Sequence, residues 1–305
     1  MTSVYLHIGL PKTGTTAIQY FFCVNEEAFL RQGVLYPKAG RPGRFYGHHH
    51  LVWEINHDKR LEPSERGHWN ALYQEIGLKR PQTVVISSEA FVEDFRLKEI
   101  EEVHRRLSGF TVRVIIYLRR QDEWIESIYK QVVAADGDRR CIQELIDPIL
   151  ETRGADYYAL VKCWEKFFGE GNITVRFYDR QKIGDGLIDD FLKALNIAID
   201  IKQMEKAGRL NVSLDSKTIK AVLLFNRLSV WLPRKWQEKI RQLYIRPAAA
   251  RKRLDGLSKN IPDWIISPEL LSRQERERIM STFEASNQRI AQEYGTVGTG
   301  RDLSL

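Results

Sequence analysis

The feature that most constrains the fold is a short apolar run that ends in a glycine-rich loop and continues as a helical pattern. The run Val4–Ile8 precedes GLPKTGTT, and apolar residues then recur at helical spacing from Thr15 to Gln32, where Gly33 provides a stop. At a strand–glycine turn–helix junction, backbone N–H groups at the helix N-terminus can bind an anion. The sequence therefore predicts an anion site directly after a first strand.

Further apolar runs alternate with helical patterns along the chain. Strands are predicted at Thr83–Ser87, Val112–Leu118 and Ile173–Tyr178, and helices at His68–Lys79, Leu97–Leu107, Asp122–Ala135 and Asp156–Phe168. This alternation predicts an α/β fold of P-loop-like, three-layer type, with a central parallel sheet flanked by helices. Because ligands bind beyond the carboxyl ends of such strands, we expect HIGLPKTG, SSEAF and RRQDEW to meet at one site.

The last third of the chain has a different pattern. After about residue 201 no strand pattern remains, and Ser213–Leu228, Trp231–Leu243 and Ser267–Glu293 are predicted as helices. We therefore expect a core over residues 1–200 and a helical C-terminal extension over residues 201–305, packed on the same domain.

The charge balance favours an anionic partner. The net charge is +7 and the isoelectric point is near 9.2, which leaves open a nucleotide, an acidic glycan, a nucleic acid or a membrane surface. The three cysteines are far apart, so disulfides and a cysteine-rich metal site are not expected. With neither a long apolar run nor a secretory signal pattern, we expect a cytoplasmic protein.

The glycine loop differs from the loop that binds nucleotide triphosphates. There, the lysine follows the second glycine, whereas Lys12 comes two residues before Gly14, and Thr15 and Thr16 follow. A triphosphate site also needs an acidic residue for Mg²⁺. The strand ends offer Glu89 and the Arg119–Arg120 pair, and the charge of that pair would repel a metal. An anion neutralised by protein groups alone fits better, and a kinase with an aberrant loop is the alternative.

A second basic cluster follows a later strand. Arg119 ends the strand, and Ser127 lies eight residues further on in the next predicted helix. A guanidinium and a hydroxyl placed in this way can converge on one phosphate. The alternative is a local ion pair in which Arg119 or Arg120 binds Asp122 or Glu123.

Together, the two clusters resemble the 5′-phosphosulfate loop and the 3′-phosphate motif of sulfotransferases that use 3′-phosphoadenosine 5′-phosphosulfate (PAPS). The similarity is closest to the carbohydrate branch, which includes the heparan sulfate sulfotransferases and bacterial homologues. It extends through SSEAF, YYALVKCWEKFF and FYDR, and covers residues 1–200. The acceptor implied is a carbohydrate or polysaccharide, no nucleic acid partner is expected, and the product left behind would be the bisphosphate PAP.

The resemblance also implies roles for individual residues. Lys12 would contact the sulfate and the bridging oxygen, Gly14 and the threonines that follow would hold the 5′-phosphate, and Arg119 with Ser127 would bind the 3′-phosphate. Such a site requires no metal, because the ammonium and the backbone donors stabilise the charge on the leaving phosphate. The implied donor site comprises Pro11, Lys12, Thr13, Gly14, Thr15, Thr16, Arg119 and Ser127.

Two candidates exist for the base that takes the proton from the acceptor hydroxyl. Glu89 follows TVVISS at a predicted strand end, although it could simply be a favourable helix N-terminal glutamate. His48, His49 and His50 are consecutive, so at most two can face one site. We consider His49 and His50 as bases and His48 as an acceptor contact; a metal site and a solvated loop are the alternatives.

Several further residues suit an acidic or sugar acceptor. Arg41, Arg44 and Tyr46 precede the histidines in a glycine- and proline-containing loop, and Arg44 is the predicted acceptor-binding residue among them. Asn211 reads first as a helix cap and second as a contact at the rim of the site.

The segment 228–253 is basic and aromatic, with Glu238 as its only acidic residue. Either it forms a solvated pair of amphipathic helices, or it contacts an anionic surface such as a glycan or a peripheral membrane. Trp231, Trp236 and Tyr244 are expected to pack inside. A third functional hypothesis follows, in which the chain is a non-enzymatic binder of acidic glycan or nucleic acid.

Overall fold

In the computed structural model, which describes residues 2–41, 43, 45–93, 96–179, 186–205, 214–245 and 248–295, five strands form one sheet. They are β1 (Ser3–His7), β2 (Val34–Leu35), β3 (Thr83–Ser87), β4 (Thr111–Leu118) and β5 (Ile173–Phe177). Their order is β2-β3-β1-β4-β5, and every neighbouring pair is parallel. The predicted parallel sheet is confirmed. β2 was not predicted, since two residues are too few to produce a pattern.

Helices connect the strands. They are α1 (Thr15–Val24), α2 (Glu26–Arg31), α3 (His49–Ile55), α4 (His68–Lys79), α5 (Ala90–Glu93), α6 (Leu97–Arg106), α7 (Gln121–Gln131), α8 (Gln143–Glu151), α9 (Tyr157–Phe168) and α10 (Leu187–Ala194). A π-helical turn, Val132–Asp136, extends α7, and 3₁₀ turns lie at Pro63–Glu65 and Glu170–Asn172.

Residues 214–295 are helical in the part that the structure describes, which confirms the predicted helical C-terminus. The helices are α11 (Ser216–Leu228), α12 (Arg234–Ile240), α13 (Ala248–Ser258) and α14 (Arg273–Tyr294), with a 3₁₀ turn at Ser229–Trp231 and a π-helical turn at Arg241–Ile245. No helix in the described residues is long and apolar enough to cross a membrane.

Helices cover both faces of the sheet. On one face, Tyr5 and Tyr117 pack with α1, α2 and α10 in a cluster that includes Phe22 and Phe191. On the other face, α9 packs against β4 and β5, and α6 packs against α9. Because the strands are buried on both faces, they read as nearly continuous apolar runs in the sequence.

Three local predictions were wrong. The helix predicted from Thr15 to Gln32 is divided at Asn25, whose side-chain amide donates to the carbonyl oxygen of Phe21 (2.9 Å) and so ends α1. The histidines of GHHHL start helix α3 rather than lying in a loop. Trp231 and Trp236 do not pack inside: their side chains are 91% and 61% exposed. The side chain of Tyr244 lies outside the described residues.

The chain divides into two compact units. The first comprises Met1–Arg119, Tyr157–Leu210 and Ser286–Leu303, and the second comprises Arg120–Asp156, Asn211–Ala285 and Ser304–Leu305. In this division α7 and α8 group with the C-terminal helices. The expected core over residues 1–200 with an extension over residues 201–305 stays a prediction.

Polar contacts within the second unit explain this grouping. The Arg276 guanidinium pairs with Asp122 (3.1 Å) and Glu126 (2.6 Å), and the buried Asn226 amide donates to the carbonyl oxygens of Val133 and Asp138. Burial alone would raise the pKa of Asp122, but hydrogen bonds from Arg120 and Arg276 outweigh it and hold that pKa below its usual value.

Candidate active site

The loop after β1 has the backbone of an anion-binding turn. Gly14 (φ 83°) and Lys12 (φ 69°) both adopt left-handed conformations, and the second is uncommon for a residue other than glycine. The Thr13 hydroxyl donates to the carbonyl oxygen of Leu10 (2.6 Å), which closes the loop on itself. Gly14 is the N-cap of α1 and has no side chain to cap the helix. The Ala17 N–H donates to the carbonyl oxygen of Gly14 (3.0 Å), and the N–H groups of Thr15 and Thr16, which precede it at the N-terminus of α1, are suited to a ligand.

This loop lies at the switch point of the sheet. The chain leaves the central strand β1 towards β2 and β3, and the strand on the other side of β1 is β4. The Leu10 N–H donates to the carbonyl oxygen of Tyr117 (3.4 Å), so the loop rests on the end of β4. The crevice outside such a point is where open parallel sheets bind ligands.

Arg119 contacts the loop from the end of β4. Its guanidinium donates to the carbonyl oxygen of Lys12 (3.2 Å) and stands 5.6 Å from the centre of the Tyr178 ring, at cation–π distance. The Tyr157 hydroxyl donates to the carbonyl oxygen of Arg119 (2.8 Å) and fixes the backbone there. Two predicted donor-site residues, Lys12 and Arg119, therefore lie together. The supporting roles of Tyr157 and Tyr178 were missed.

Ser127 is half-buried on α7 and belongs to the second unit. Its joint action with Arg119 on one phosphate stays a prediction. The neighbouring Arg120 pairs with Asp122 (3.1 Å), so the local ion pair considered as an alternative exists for Arg120.

The end of β3 carries a buried network of polar groups. The Gln19 amide donates to Glu89 Oε2 (2.9 Å) and to the Ser87 hydroxyl (3.3 Å), and His7 Nδ1 lies 2.8 Å from the same hydroxyl. The Ser88 N–H donates to the carbonyl oxygen of His7 (3.0 Å), which ties the ends of β1 and β3 together. Glu89 therefore stands at the site with its carboxylate oriented by α1. Sequence reasoning missed Gln19, although its position four residues after Thr15 places it on the same helix face.

His48 is a structural residue in this geometry. Its side chain is fully buried, Nδ1 accepts from the Ser87 N–H (3.0 Å), and Nε2 lies 3.0 Å from the carbonyl oxygen of Pro37. These partners assign the proton to Nε2. Burial, followed by the nearby charge of Arg41, lowers the pKa of His48 to about 3. With both ring nitrogens engaged by backbone, His48 holds its loop to β3, and this geometry gives no support to an acceptor contact.

The other two histidines differ from each other. His49 is half-buried, and its Nδ1 lies 2.8 Å from the Ser88 hydroxyl, one residue before Glu89. His50 is buried, with Nδ1 3.1 Å from His68 Nε2, and burial followed by His68 lowers its pKa. Of the two predicted bases in this segment, His49 is the one placed beside Glu89.

The loop before the histidines is only partly described. Arg41 is buried and pairs with Glu26, so it ties this loop to α2. Arg44, like Asn211, lies outside the described residues, and its predicted role stays a prediction. Phe45 and His49 pack around Trp53, with ring centres 5.6 and 5.9 Å from that indole. An aromatic surface therefore adjoins the polar network.

Comparisons with known proteins assign the chain to no family. A scan against models of known protein families finds no match. An uncharacterized protein of Archaeoglobus fulgidus is 28% identical over 213 residues, which are 69% of this chain and 53% of that protein. The chain thus spans about half the length of this relative. The crystal structure of a sulfotransferase from Alicyclobacillus acidocaldarius aligns over 95% of this chain and 94% of its own, with 13% identity and a TM-score of 0.43. These similarities assign no function, so the function has to be inferred from the residues of the site.

Proposed function

We propose that this chain is a sulfotransferase that moves a sulfuryl group from PAPS to a hydroxyl of an acceptor. The observation that carries the proposal is the 3.2 Å contact between the Arg119 guanidinium and the backbone of Lys12. It brings the arginine of the Arg-x7-Ser motif to the PKTGTT loop, at the switch point of the sheet. Two cations beside a helix N-terminus suit a ligand with several negative charges.

In this proposal the protein itself supplies the electrostatic stabilisation. The Lys12 ammonium and the N–H groups at the start of α1 stabilise the charge that develops on the 5′-phosphate oxygen as its bond to the sulfuryl group breaks and the acceptor oxygen bonds to sulfur. Packing requires a glycine at the start of α1, because a Cβ at Gly14 would lie only 2.3 Å from Leu187 Cδ2. Arg119 binds the 3′-phosphate, with Ser127 as its predicted partner.

The acceptor proton goes to Glu89 or to His49. The Gln19 amide orients the Glu89 carboxylate, and His49 is bonded to the adjacent Ser88. Glu89 is the first choice, since its carboxylate directly follows β3 and is fixed by a buried donor. The surface of Phe45, His49 and Trp53 supports a carbohydrate acceptor, because the C–H face of a sugar ring packs well on aromatic rings.

A second candidate function is Mg²⁺-dependent phosphoryl transfer. Glu89 follows β3, the neighbour of β1, and an acidic residue at a strand end is what a triphosphate site uses for its metal. Lys12 argues against this candidate, because it precedes Gly14 instead of following it.

We also retain a cytoplasmic location in the proposal, since all three cysteines are free thiols.

A thermal-shift experiment distinguishes the two donors. We expect adenosine 3′,5′-bisphosphate to raise the Tm without metal, and Arg119→Ala to remove that shift. Arg113→Ala is the matched control, because Arg113 lies early on the same strand and donates to the Tyr5 hydroxyl instead. A shift with ATP and Mg²⁺ alone would overturn the sulfotransferase proposal. Tight polyanion binding that Lys12→Ala leaves unchanged would favour the non-enzymatic binder.

A further inference from the structure

Three tryptophans of the second unit are exposed to an unusual degree. Trp231 is 91% exposed, Trp264 is 85% exposed and Trp236 is 61% exposed. Tryptophan is highly buried on average, and its large apolar surface makes such exposure costly in water. Exposed aromatic residues that lie on one contiguous surface indicate a binding site for a partner.

Helix α11 connects two of these tryptophans. Lys217, Lys220, Leu224 and Leu228 follow one another at helical spacing, so they lie on one face of the helix. Leu224 and Leu228 are 57% and 67% exposed. The face runs directly into the 3₁₀ turn that ends at Trp231.

The other end of this face meets the loop that carries Trp264. Lys217 Nζ donates to the carbonyl oxygen of Ile261 and pairs with Asp263 (2.6 Å), and Lys220 Nζ donates to the carbonyl oxygen of Ser267 (3.1 Å). The loop between these contacts carries Trp264. From Lys217 to Trp231 the helical rise gives a length of about 20 Å. We call this the tryptophan surface, and it comprises Leu224, Leu228, Val230, Trp231, Leu232, Trp264 and Ile265, all of them exposed.

Positive charge borders the tryptophan surface on the segment that carries Trp231, whereas Asp263 adjoins Trp264. Within residues 228–253 the only acidic residue is Glu238. Among the residues of this segment that the structure describes, the exposed cations are Arg234, Lys235, Lys239, Lys252 and Arg253. Lys239 also stands 5.9 Å from the ring centre of Trp236, so charge and aromatic surface are interleaved here.

We propose that the tryptophan surface binds the interface of a lipid bilayer rich in anionic headgroups. Tryptophan is enriched at headgroup depth, where its ring is apolar and its N–H remains solvated. The leucines and Val230 would enter the acyl boundary, and the lysines and arginines would contact anionic headgroups. The protein would thus lie on a membrane without crossing it.

Charge and chemistry disfavour the other occupants. A second copy of the chain would bring two cationic borders together, and like charges across an interface oppose association. An acidic polysaccharide would pair with the cations but would leave the aliphatic side chains of Leu224, Leu228 and Val230 in water. Only a partner with both an anionic and an apolar part satisfies the whole surface.

Vesicle sedimentation of the full chain tests this proposal. Vesicles of phosphatidylcholine mixed with phosphatidylglycerol should sediment the protein, and vesicles of phosphatidylcholine alone should do so far less. Trp231→Ala with Trp264→Ala should weaken the binding at least about tenfold, and Lys235→Glu with Lys239→Glu by a similar factor. Leu78→Ala is the control for loss of an exposed apolar side chain elsewhere, since Leu78 is 82% exposed on α4, and it should bind as the unchanged protein does.

Two measurements separate a loss of vesicle binding from unfolding of a variant. All variants should keep the Tm of the unchanged protein, because the replaced side chains are exposed. Tryptophan emission should shift to the blue on vesicle addition, and the double tryptophan variant should lose that shift. Equal vesicle binding by the unchanged protein and the double tryptophan variant would overturn the proposal. So would self-association that the tryptophan variant abolishes, or binding of heparin without any binding of anionic vesicles.

Discussion

At the ends of β1 and β3 polar side chains are buried, whereas on α11 and the loop before α14 tryptophan and leucine are exposed. Gln19 and Ser87 have 3% and 0% exposure, and Trp231 has 91%. Both regions depart from the usual pattern of burial, since the first buries polar side chains and the second exposes apolar ones. Buried polar groups are tolerated when they bond to one another, as these do, and their arrangement serves chemistry. Exposed apolar side chains are not explained by packing inside the protein, so they indicate a surface that binds a partner. The comparison predicts that the two regions can be inactivated independently.

Lys12→Ala should have the largest effect and should affect only the first region. If Lys12 stabilises the departing phosphate oxygen, turnover with PAPS should fall by about 10³-fold, the loss seen when one transition-state donor is removed. Vesicle binding should remain as in the unchanged protein. Trp231→Ala with Trp264→Ala should show the reverse pattern with a soluble acceptor. Single-turnover sulfation measures catalysis, and vesicle sedimentation measures membrane binding. If each variant lost both activities, the two regions would not be independent.

Replacing Glu89 and His49 separately identifies the catalytic base in the polar region. We expect Glu89→Gln to lower kcat by about 10²-fold or more, because general base catalysis contributes 10²–10⁴-fold. His49→Ala should lower kcat less and act through the acceptor KM. Gln19→Leu, which removes the donor to Glu89, should reproduce part of the Glu89 effect without changing PAP binding. A larger kcat loss for His49→Ala than for Glu89→Gln would transfer the role to the histidine.

The buried histidines of the polar region make its stability depend on pH. Burial lowers the pKa of His7 and of His48 to about 3, from an ordinary value of 6.5. Between these pH values the unfolded chain binds protons that the folded chain does not, so the free energy of unfolding falls as the pH falls below 6.5. At pH 5 the loss is about 2 kcal/mol for each histidine.

Urea unfolding at pH 7.5 and pH 5 measures this dependence. His48→Gln should reduce the difference between the two pH values by about half of the histidine contribution. Leu78→Ala is the control, since it replaces an exposed side chain that carries no titratable group and should leave the dependence unchanged. An identical pH dependence in His48→Gln would show that His48 is not buried as a neutral ring.

The smallest effect concerns two glycines of the first unit. Gly14→Ala should destabilise by about 1 kcal/mol or more, because φ is 83° and the new Cβ would meet Leu187. Gly77→Ala should stabilise by about 0.5–1 kcal/mol, since Gly77 lies inside α4 with open space around it. Thermal unfolding of both variants tests the assignment, and the same sign in both would contradict it.

Regular elements were predictable where one pattern dominated. Thr83–Ser87 and His68–Lys79 have the bounds that the sequence predicted, because a buried parallel strand reads as an apolar run and α4 buries one stripe. Helix α3 was missed: GHHHL carries no start signal, and the helix depends on tertiary burial of Leu51 and Val52.

The site was predictable only where chemistry and spacing are local. Lys12, Gly14 and Arg119 each lie within a few residues of a readable strand end or helix start, so their positions followed from the pattern. Gln19 did not, since its partner Glu89 lies 70 residues away in the sequence and only the fold brings the two together. The same holds for Trp231: an aromatic residue in an amphipathic segment is predicted to lie in the core, and only the structure shows that its side chain is exposed.

The position of β1 in the sheet has a consequence for synthesis on the ribosome. Ser3 of β1 pairs with Thr83 and with Thr111, so the central strand waits for two partners that are translated 80 and 108 residues later. Until β4 emerges, at least one edge of β1 lacks a partner, and its buried residues Val4 and Leu6 remain open to wrong pairing. Commitment to the native sheet therefore comes late, and a chain stalled before residue 111 should require a chaperone to stay unaggregated.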